Sequence, residues 1–267
     1  MQAGFRRIGN TLARGIGLYT PLRALYNTLF LSRATRSVSV GGLHAAFYTP
    51  THTIIEHVES LGGEGPIIEG FLGELRPGDV FWDIGASFGL YTVLAAQKVM
   101  PQGAVAAFEP EPQMRGLLMR NLTLNGLGSV SVLSTALGDR DAVTELFPAA
   151  NPNSGTSSLA RREDYRLRKK GISVELRRGE TLIGNAGPPA PTCLKIDVEG
   201  GEGRVLAGMG TLLDDRRLRF ILCEVHPRLL PSFGDNAESF ERALTAAGFT
   251  ITKKIPRGSE YHLVCRR

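Results

Sequence analysis

The stretch "DVFWDIGASFGLYT", residues 79–92, ends an apolar run on Asp83 and then sets two glycines, Gly85 and Gly89, four residues apart. Lacking a Cβ, these glycines let backbone approach a ligand and take dihedrals that other residues avoid. Asp83 stands just before the bend, where a carboxylate can accept hydrogen bonds from an ammonium or an ordered water. Further on, "AVAAFEPEP" ends a second apolar run on Glu109, followed by Pro110. An acid at that point of a second strand takes the two hydroxyls of a ribose. A glycine bend and an acid ending the next strand together predict a nucleoside cofactor. A dinucleotide would ask for GxGxxG with amides facing a pyrophosphate, whereas here a carboxylate stands at the entrance and would repel phosphate. A nucleoside that carries an ammonium, a sulfonium and a ribose fits these groups, and S-adenosylmethionine is such a molecule.

A second set of groups lies in "KIDVEGGE" and "CEVHP". Lys195 and Asp197 are two apart on a strand, hence on one face, which makes them candidate companions. Asp197 ends that strand and Glu199 follows. Glu224 and His226 repeat the two-residue spacing at another strand end, so neighbouring tips could bring all four carboxylate and imidazole groups together. An unperturbed His226 suits the removal of a proton from a hydroxyl, with Glu224 orienting it or holding substrate. The same carboxylates offer oxygen ligands to a divalent cation, but no compact motif requires one, and a metal stays open. His44, His52, His57 and His262 show no metal spacing and read as incidental.

The elements that must carry these residues alternate. Strands are predicted at 79–84, 104–108, 130–134, 192–197 and 218–225, with helices at 90–99, 111–124, 199–213 and 236–247. Strand pieces near 249–254 and 261–266 close the chain and are joined too tightly for a crossover helix, so they pair antiparallel. The rhythm predicts an α/β fold, a Rossmann-like, doubly wound, mostly parallel seven-stranded sheet with an antiparallel C-terminal strand. Residues 66–267 form that domain, with an insertion at about 148–191 that has some strand of its own. "RREDYRLRKK", residues 161–170, reads as a solvated helix face, and no nucleic-acid partner is expected.

With 267 residues and 42% apolar content, the chain can bury a large core, and no apolar run suits a membrane span. The net charge of +5 is concentrated before Glu56, where Arg6, Arg7, Arg14, Arg23, Arg33 and Arg36 meet no acid. Phe5, Ile8, Leu12, Ile16 and Tyr19, then Leu22, Leu25, Tyr26, Leu29 and Phe30, recur at helical spacing. Residues 1–65 are therefore expected to be a basic amphipathic helical segment and cap, docked on the chain's own domain or on an anionic membrane surface. Cys193, Cys223 and Cys265 form no CxxC pattern and are expected to be buried thiols in a reducing, cytoplasmic setting.

In order, "LRPGDVFWDIGASFGLYT", "AVAAFEPEP", "NLTLNGL", "ALGD", "NSGTSSL", "CLKIDVEGGE" and "ILCEVHP" resemble the FkbM family of class I S-adenosylmethionine-dependent methyltransferases, from about Glu69 to the C-terminus. Ser87 stands where members commonly have asparagine, and Gly201 where a bulkier residue is usual. The resemblance implies that Asp83, Gly85 and Gly89, with Ala86 and Ser87 between them, meet the methionine part. It also implies that Glu109 and Pro110 meet the ribose, and that Ala136, Leu137 and Asp139 lie beside the adenine. Asp139 reads equally as a turn residue before Arg140. Asp197 would stand close to the methyl group. The family further implies a hydroxyl acceptor on a sugar, glycolipid or secondary metabolite, bound by the insertion and the N-terminal helices. A homo-oligomer is compatible with all of this. A nicotinamide-dependent oxidoreductase and a non-catalytic scaffold of the same fold remain the alternative readings.

Overall fold

The structure is a computed structural model that describes residues 34–148, 157–160, 170–184 and 187–267. The two N-terminal helices expected before residue 34, and most of "NPNSGTSSL" and "RREDYRLRKK", lie outside the described residues.

Strand–helix alternation builds the central layer. It runs β3 (Val80–Ile84), α3 (Leu90–Val99), β4 (Ala104–Phe108), α4 (Pro112–Leu124) and β5 (Ser131–Leu133). After the insertion come β9 (Cys193–Ile196), α5 (Glu202–Met209), β10 (Phe220–Val225), α6 (Ala237–Ala246), β11 (Thr250–Arg257) and β12 (Glu260–Arg266). The seven strands lie in the order β11-β12-β10-β9-β3-β4-β5. Only β12 is antiparallel to its neighbours, as the short turn between the last two strands requires. Every residue of β9 and β10 is buried, the mark of parallel strands covered on both faces. Pleating sends Phe81 into one core with Phe71 and Leu94, and Trp82 into the other with Phe108 and Phe240.

Local signals set the helix starts. Pro112 opens α4 while the Glu111 side chain accepts the Met114 N–H at 2.7 Å. Asn236 and Ser239 form a capping box at α6.

Residues 34–65 hold a strand pair that the sequence did not predict. The pair is a hairpin, β1 (Thr35–Val40) and β2 (Leu43–Tyr48), followed by α1 (His52–Ser60) and α2 (Gly65–Glu74). Gly41 and Gly42 turn the hairpin with φ of 56° and 77°, the conformation that favours glycine pairs in such turns. Val38, Ala45, Phe47, Ile54 and Val58 enter the same core as Phe81 and Leu94. Within the insertion, β8 (Ile172–Arg177) joins β6 (Ala136–Leu137) and β7 (Ala142–Leu146) in a separate three-stranded sheet. No helix among the described residues is long and apolar enough to cross a membrane.

The "NLTLNGL" motif ties the hairpin to the site. Asn121 Oδ1 accepts from Tyr48 N–H at 2.8 Å, and its Nδ2 donates to Phe88 O at 2.8 Å. Asn125 pairs both ways with the Ala46 backbone, at 3.0 and 2.7 Å. Asn121 is fully buried, so Asn121→Ala leaves a strand N–H and a loop carbonyl without partners. A loss of about 2–3 kcal/mol is expected in urea unfolding; an unchanged midpoint would show that the amide carries no such burden.

Candidate active site

A cavity of about 340 Å³ opens beyond the carboxyl ends of β3, β4, β9 and β10, where open parallel sheets bind ligands. Its size suits a small molecule. Gly85, Ala86 and Ser87 come to it from β3, Glu109 and Pro110 from β4, Asp197 and Glu199 from β9, and Glu224 and His226 from β10; Ala136 and Leu137 of β6 complete one side.

The glycine bend serves the chain first. Gly85, at φ 83°, lies so close to β9 that a Cβ would sit 1.8 Å from Asp197 O. Gly89, at φ 92°, would press a Cβ to 2.4 Å from Leu118 Cδ1 of α4, and it does not line the cavity. Both glycines are thus required by packing, and the expected ligand contact of Gly89 is corrected. The N–H groups of Gly85 and Ala86 are spent on Phe108 O, at 3.0 and 3.1 Å.

Asp83 is also corrected. It pairs across the sheet with Lys195, is fully buried and does not line the cavity. Oδ2 accepts from Thr92 Oγ1 at 2.5 Å, while Oδ1 lies 3.9 Å from Lys195 Nζ without a hydrogen bond. Burial raises the Asp83 pKa against the pull of Lys195.

Glu109 stands where the sequence put it. Its Oε2 accepts Ser87 N–H at 2.7 Å and its Oε1 accepts Glu111 N–H at 2.8 Å. Ser87 reaches this bond through a left-handed φ of 51°. Burial pushes the Glu109 carboxyl up to about 7. Asp139 does not line the cavity, although Gly138 and Arg140 do; its carboxylate sits 3.1 Å from Arg140 Nη1, the turn role left open by the sequence.

The other half is rich in charge. Lys195 Nζ is 3.0 Å from Asp197 Oδ2, as the two-residue spacing suggested. Burial opposes ionisation of Asp197, but Lys195 and His226 hold its pKa below the usual range. His226 Nδ1 lies 2.6 Å from Glu202 Oε1, and its Nε2 is 4.0 Å from Asp197 Oδ1 and 3.9 Å from Glu199 Oε2. Burial would lower the ring's pKa, yet the Glu202 bond and these carboxylates push it up to about 10. His226 is therefore charged at neutral pH, which corrects its reading as an unperturbed base. The residue that orients it is Glu202, not Glu224. Glu224 instead accepts from Arg257 Nη1 at 2.7 Å, and burial with Asp197 and Glu64 nearby pushes it up to about 7.

Two histidines read as incidental belong here. His57 lines the cavity and meets the Phe88 ring edge-on at 5.2 Å. His262 is buried behind Glu64 and Glu224. His44 faces outward onto Ser39 Oγ at 2.7 Å. The sequence reading missed Glu64, Tyr91, Glu202 and Arg257. Of these only Glu202 carried a signal, since it opens the helix after "DVEGG". The three cysteines are buried and free, as expected.

The "Methyltransferase FkbM domain" matches residues 83–251. Among curated proteins, the hexuronic acid methyltransferase AglP of Haloferax volcanii is 27% identical over 199 residues, covering 74% of this chain and 77% of its own. The 31-O-demethyl-FK506 methyltransferase FkbM of Streptomyces tacrolimicus is 32% identical over 223 residues, covering 73% and 82%. The chain belongs to the FkbM methyltransferase family, and its activity is methyl transfer.

Because the folded pKa of His226 lies above its ordinary 6.5, the charged ring adds stability that is fully present below pH 6.5 and lost as pH rises through about 10. Glu202→Gln removes the main charged partner. The His226 midpoint, followed by NMR of its ring proton, is expected to fall by about one to two pH units. A midpoint that stays put would contradict the Glu202 assignment.

Proposed function

We propose that the chain transfers the methyl group of S-adenosylmethionine to a hydroxyl oxygen of a sugar, glycolipid or other secondary metabolite. The observation that carries this reading is Glu109. Two backbone N–H groups hold its carboxylate at the tip of β4, facing the cavity. Each oxygen keeps lone-pair capacity for a ribose hydroxyl. Ala136, Leu137 and Phe108 give the neighbouring wall an apolar surface suited to a purine. The opposite wall brings Asp197, Glu199 and Glu224 together beside Lys195, His226 and Arg257, and its carboxylates can pair with a sulfonium and an ammonium. Both groups of S-adenosylmethionine therefore meet fitting chemistry.

When bound, the cofactor supplies a methyl carbon made electrophilic by its positive sulfur. The chain's own residues would do the rest. Glu109 would fix the ribose, and Asp197, kept ionised by Lys195, would balance positive charge at the tip of β9. Charged His226, donating through Nε2, would orient the acceptor oxygen. Glu199, 3.9 Å from that nitrogen, is the carboxylate that would take up the hydroxyl proton. In-line alignment of acceptor oxygen and methyl carbon would supply much of the acceleration. The relatives' names support the acceptor class: a hexuronic acid for one, the 31-oxygen of a demethylated compound for the other.

Calorimetric titration with S-adenosylhomocysteine tests the reading. Glu109→Ala should weaken binding by about 1–3 kcal/mol. In the unaltered chain, ligand hydroxyls need the ionised Glu109, so affinity should rise about tenfold from pH 6 to pH 8 as a carboxyl near 7 loses its proton. In Glu109→Ala that slope should shrink to what the Glu224 carboxyl, also near 7, contributes. Equal affinity in both proteins would refute the ribose assignment, and binding of nicotinamide dinucleotide alone would favour an oxidoreductase.

A further inference from the structure

Three side chains from distant parts of the chain converge at and behind the charged wall of the cavity. Glu64 stands just before α2, Glu224 on β10 and His262 directly opposite it on β12. His262 Nε2 is 3.7 Å from Glu224 Oε2 and 3.9 Å from Glu64 Oε2, and the three ligand atoms all lie within 4.8 Å of one another. His262 is 1% exposed, yet among the described residues neither ring nitrogen finds a hydrogen-bond partner. Buried imidazoles are normally satisfied, so a ring without a bond, aimed between two carboxylates, asks for an occupant. The separations are too long for hydrogen bonds. They suit an ion instead: ligand atoms ~2.1 Å from a four-coordinate metal lie about 3.5 Å apart.

We propose that Glu64, Glu224 and His262 form a divalent-metal site. One imidazole with two carboxylates favours a first-row transition ion such as Mn²⁺ or Zn²⁺ over Mg²⁺ or Ca²⁺. The supporting partners already hold the carboxylates in place. Arg257 reaches Glu224 Oε1 at 2.7 Å and Glu64 Oε1 at 3.1 Å, leaving the two Oε2 atoms towards His262, while Tyr91 OH donates to Glu64 Oε2 at 2.7 Å. Such outer contacts orient ligands at metal centres. Three protein ligands leave coordination positions open, and Glu64 and Glu224 both line the cavity. The ion would present those positions to oxygens of the acceptor, vicinal hydroxyls being the best match. Asp197, Glu224 and His226 form a second cluster within ligand distance, but His226 already bonds Glu202 through Nδ1 and faces two carboxylates through Nε2. Ion binding stands apart from the methyl-transfer reading; only the hydroxyl-anchoring role rests on it.

The full chain, stripped with chelator and dialysed, is titrated with Mn²⁺ and separately with Zn²⁺ by calorimetry. One ion per chain is expected. His262→Phe and Glu64→Gln, each checked for folding by circular dichroism without metal, should bind at least about tenfold more weakly. Glu64 takes no part in the Asp197–Glu224–His226 cluster, so its variant separates the two locations even if His262→Phe does not fold. No saturable binding to the unaltered chain, or wild-type affinity in every folded variant, would overturn the site. Neither result would touch S-adenosylhomocysteine binding, which tests the proposed function by itself.

Discussion

A buried lysine holds the two halves of the sheet together at the point where chemistry is expected. Lys195 Nζ lies 3.0 Å from Asp197, 3.9 Å from Asp83 and 4.8 Å above the Tyr91 ring. A charge this deep is tolerated only when opposite charges and ring faces surround it. The attraction runs across β3 and β9, whose tips approach closely enough that Gly85 has no room for a side chain beneath Asp197 O. Lys195 therefore does two things at once. Across the sheet it faces Asp83 at 3.9 Å, and along its own strand it keeps Asp197 ionised at the cavity wall despite partial burial.

From that anchor the cavity divides by chemistry. One side carries apolar surface from Phe108, Ala136 and Leu137 with Glu109 at its edge; the other gathers Glu64, Asp197, Glu199 and Glu224 around Lys195, Arg257 and His226. Burying so many like charges raises the pKa of Glu224, whereas the close approach of Glu202 keeps His226 charged. A cationic group placed against Glu224 would relieve that crowding.

The sheet was legible because parallel strands covered on both faces leave continuous apolar runs, and those at β3, β4, β9 and β10 are interrupted by glycine bends and acids. Strand-tip acids were legible for the same reason, since the end of a run marks the ligand edge. Direction was harder to read. Asp83 looked like a ligand contact, but it is fully buried, with Thr92 bonded to its carboxylate. The hairpin at residues 35–48 was hidden by the helical spacing and basic charge of the residues before it, although "TRSVSVGGLHAAFY" carries the glycine pair of a tight turn. Glu64, Arg257 and His262 had no local signature at all. They meet because β12 slots between β10 and β11, a non-local event that spacing along the chain does not encode.

On the proposed function, one ligand spans the tips of β3 and β4 with its sugar on Glu109. The most direct measurement is a crystal structure of the chain with S-adenosylhomocysteine. Both ribose hydroxyls are expected within hydrogen-bond distance of the Glu109 carboxylate, and the purine against Ala136 and Leu137. A ligand bound elsewhere, with Glu109 still engaged only by the Ser87 and Glu111 amides, would contradict it.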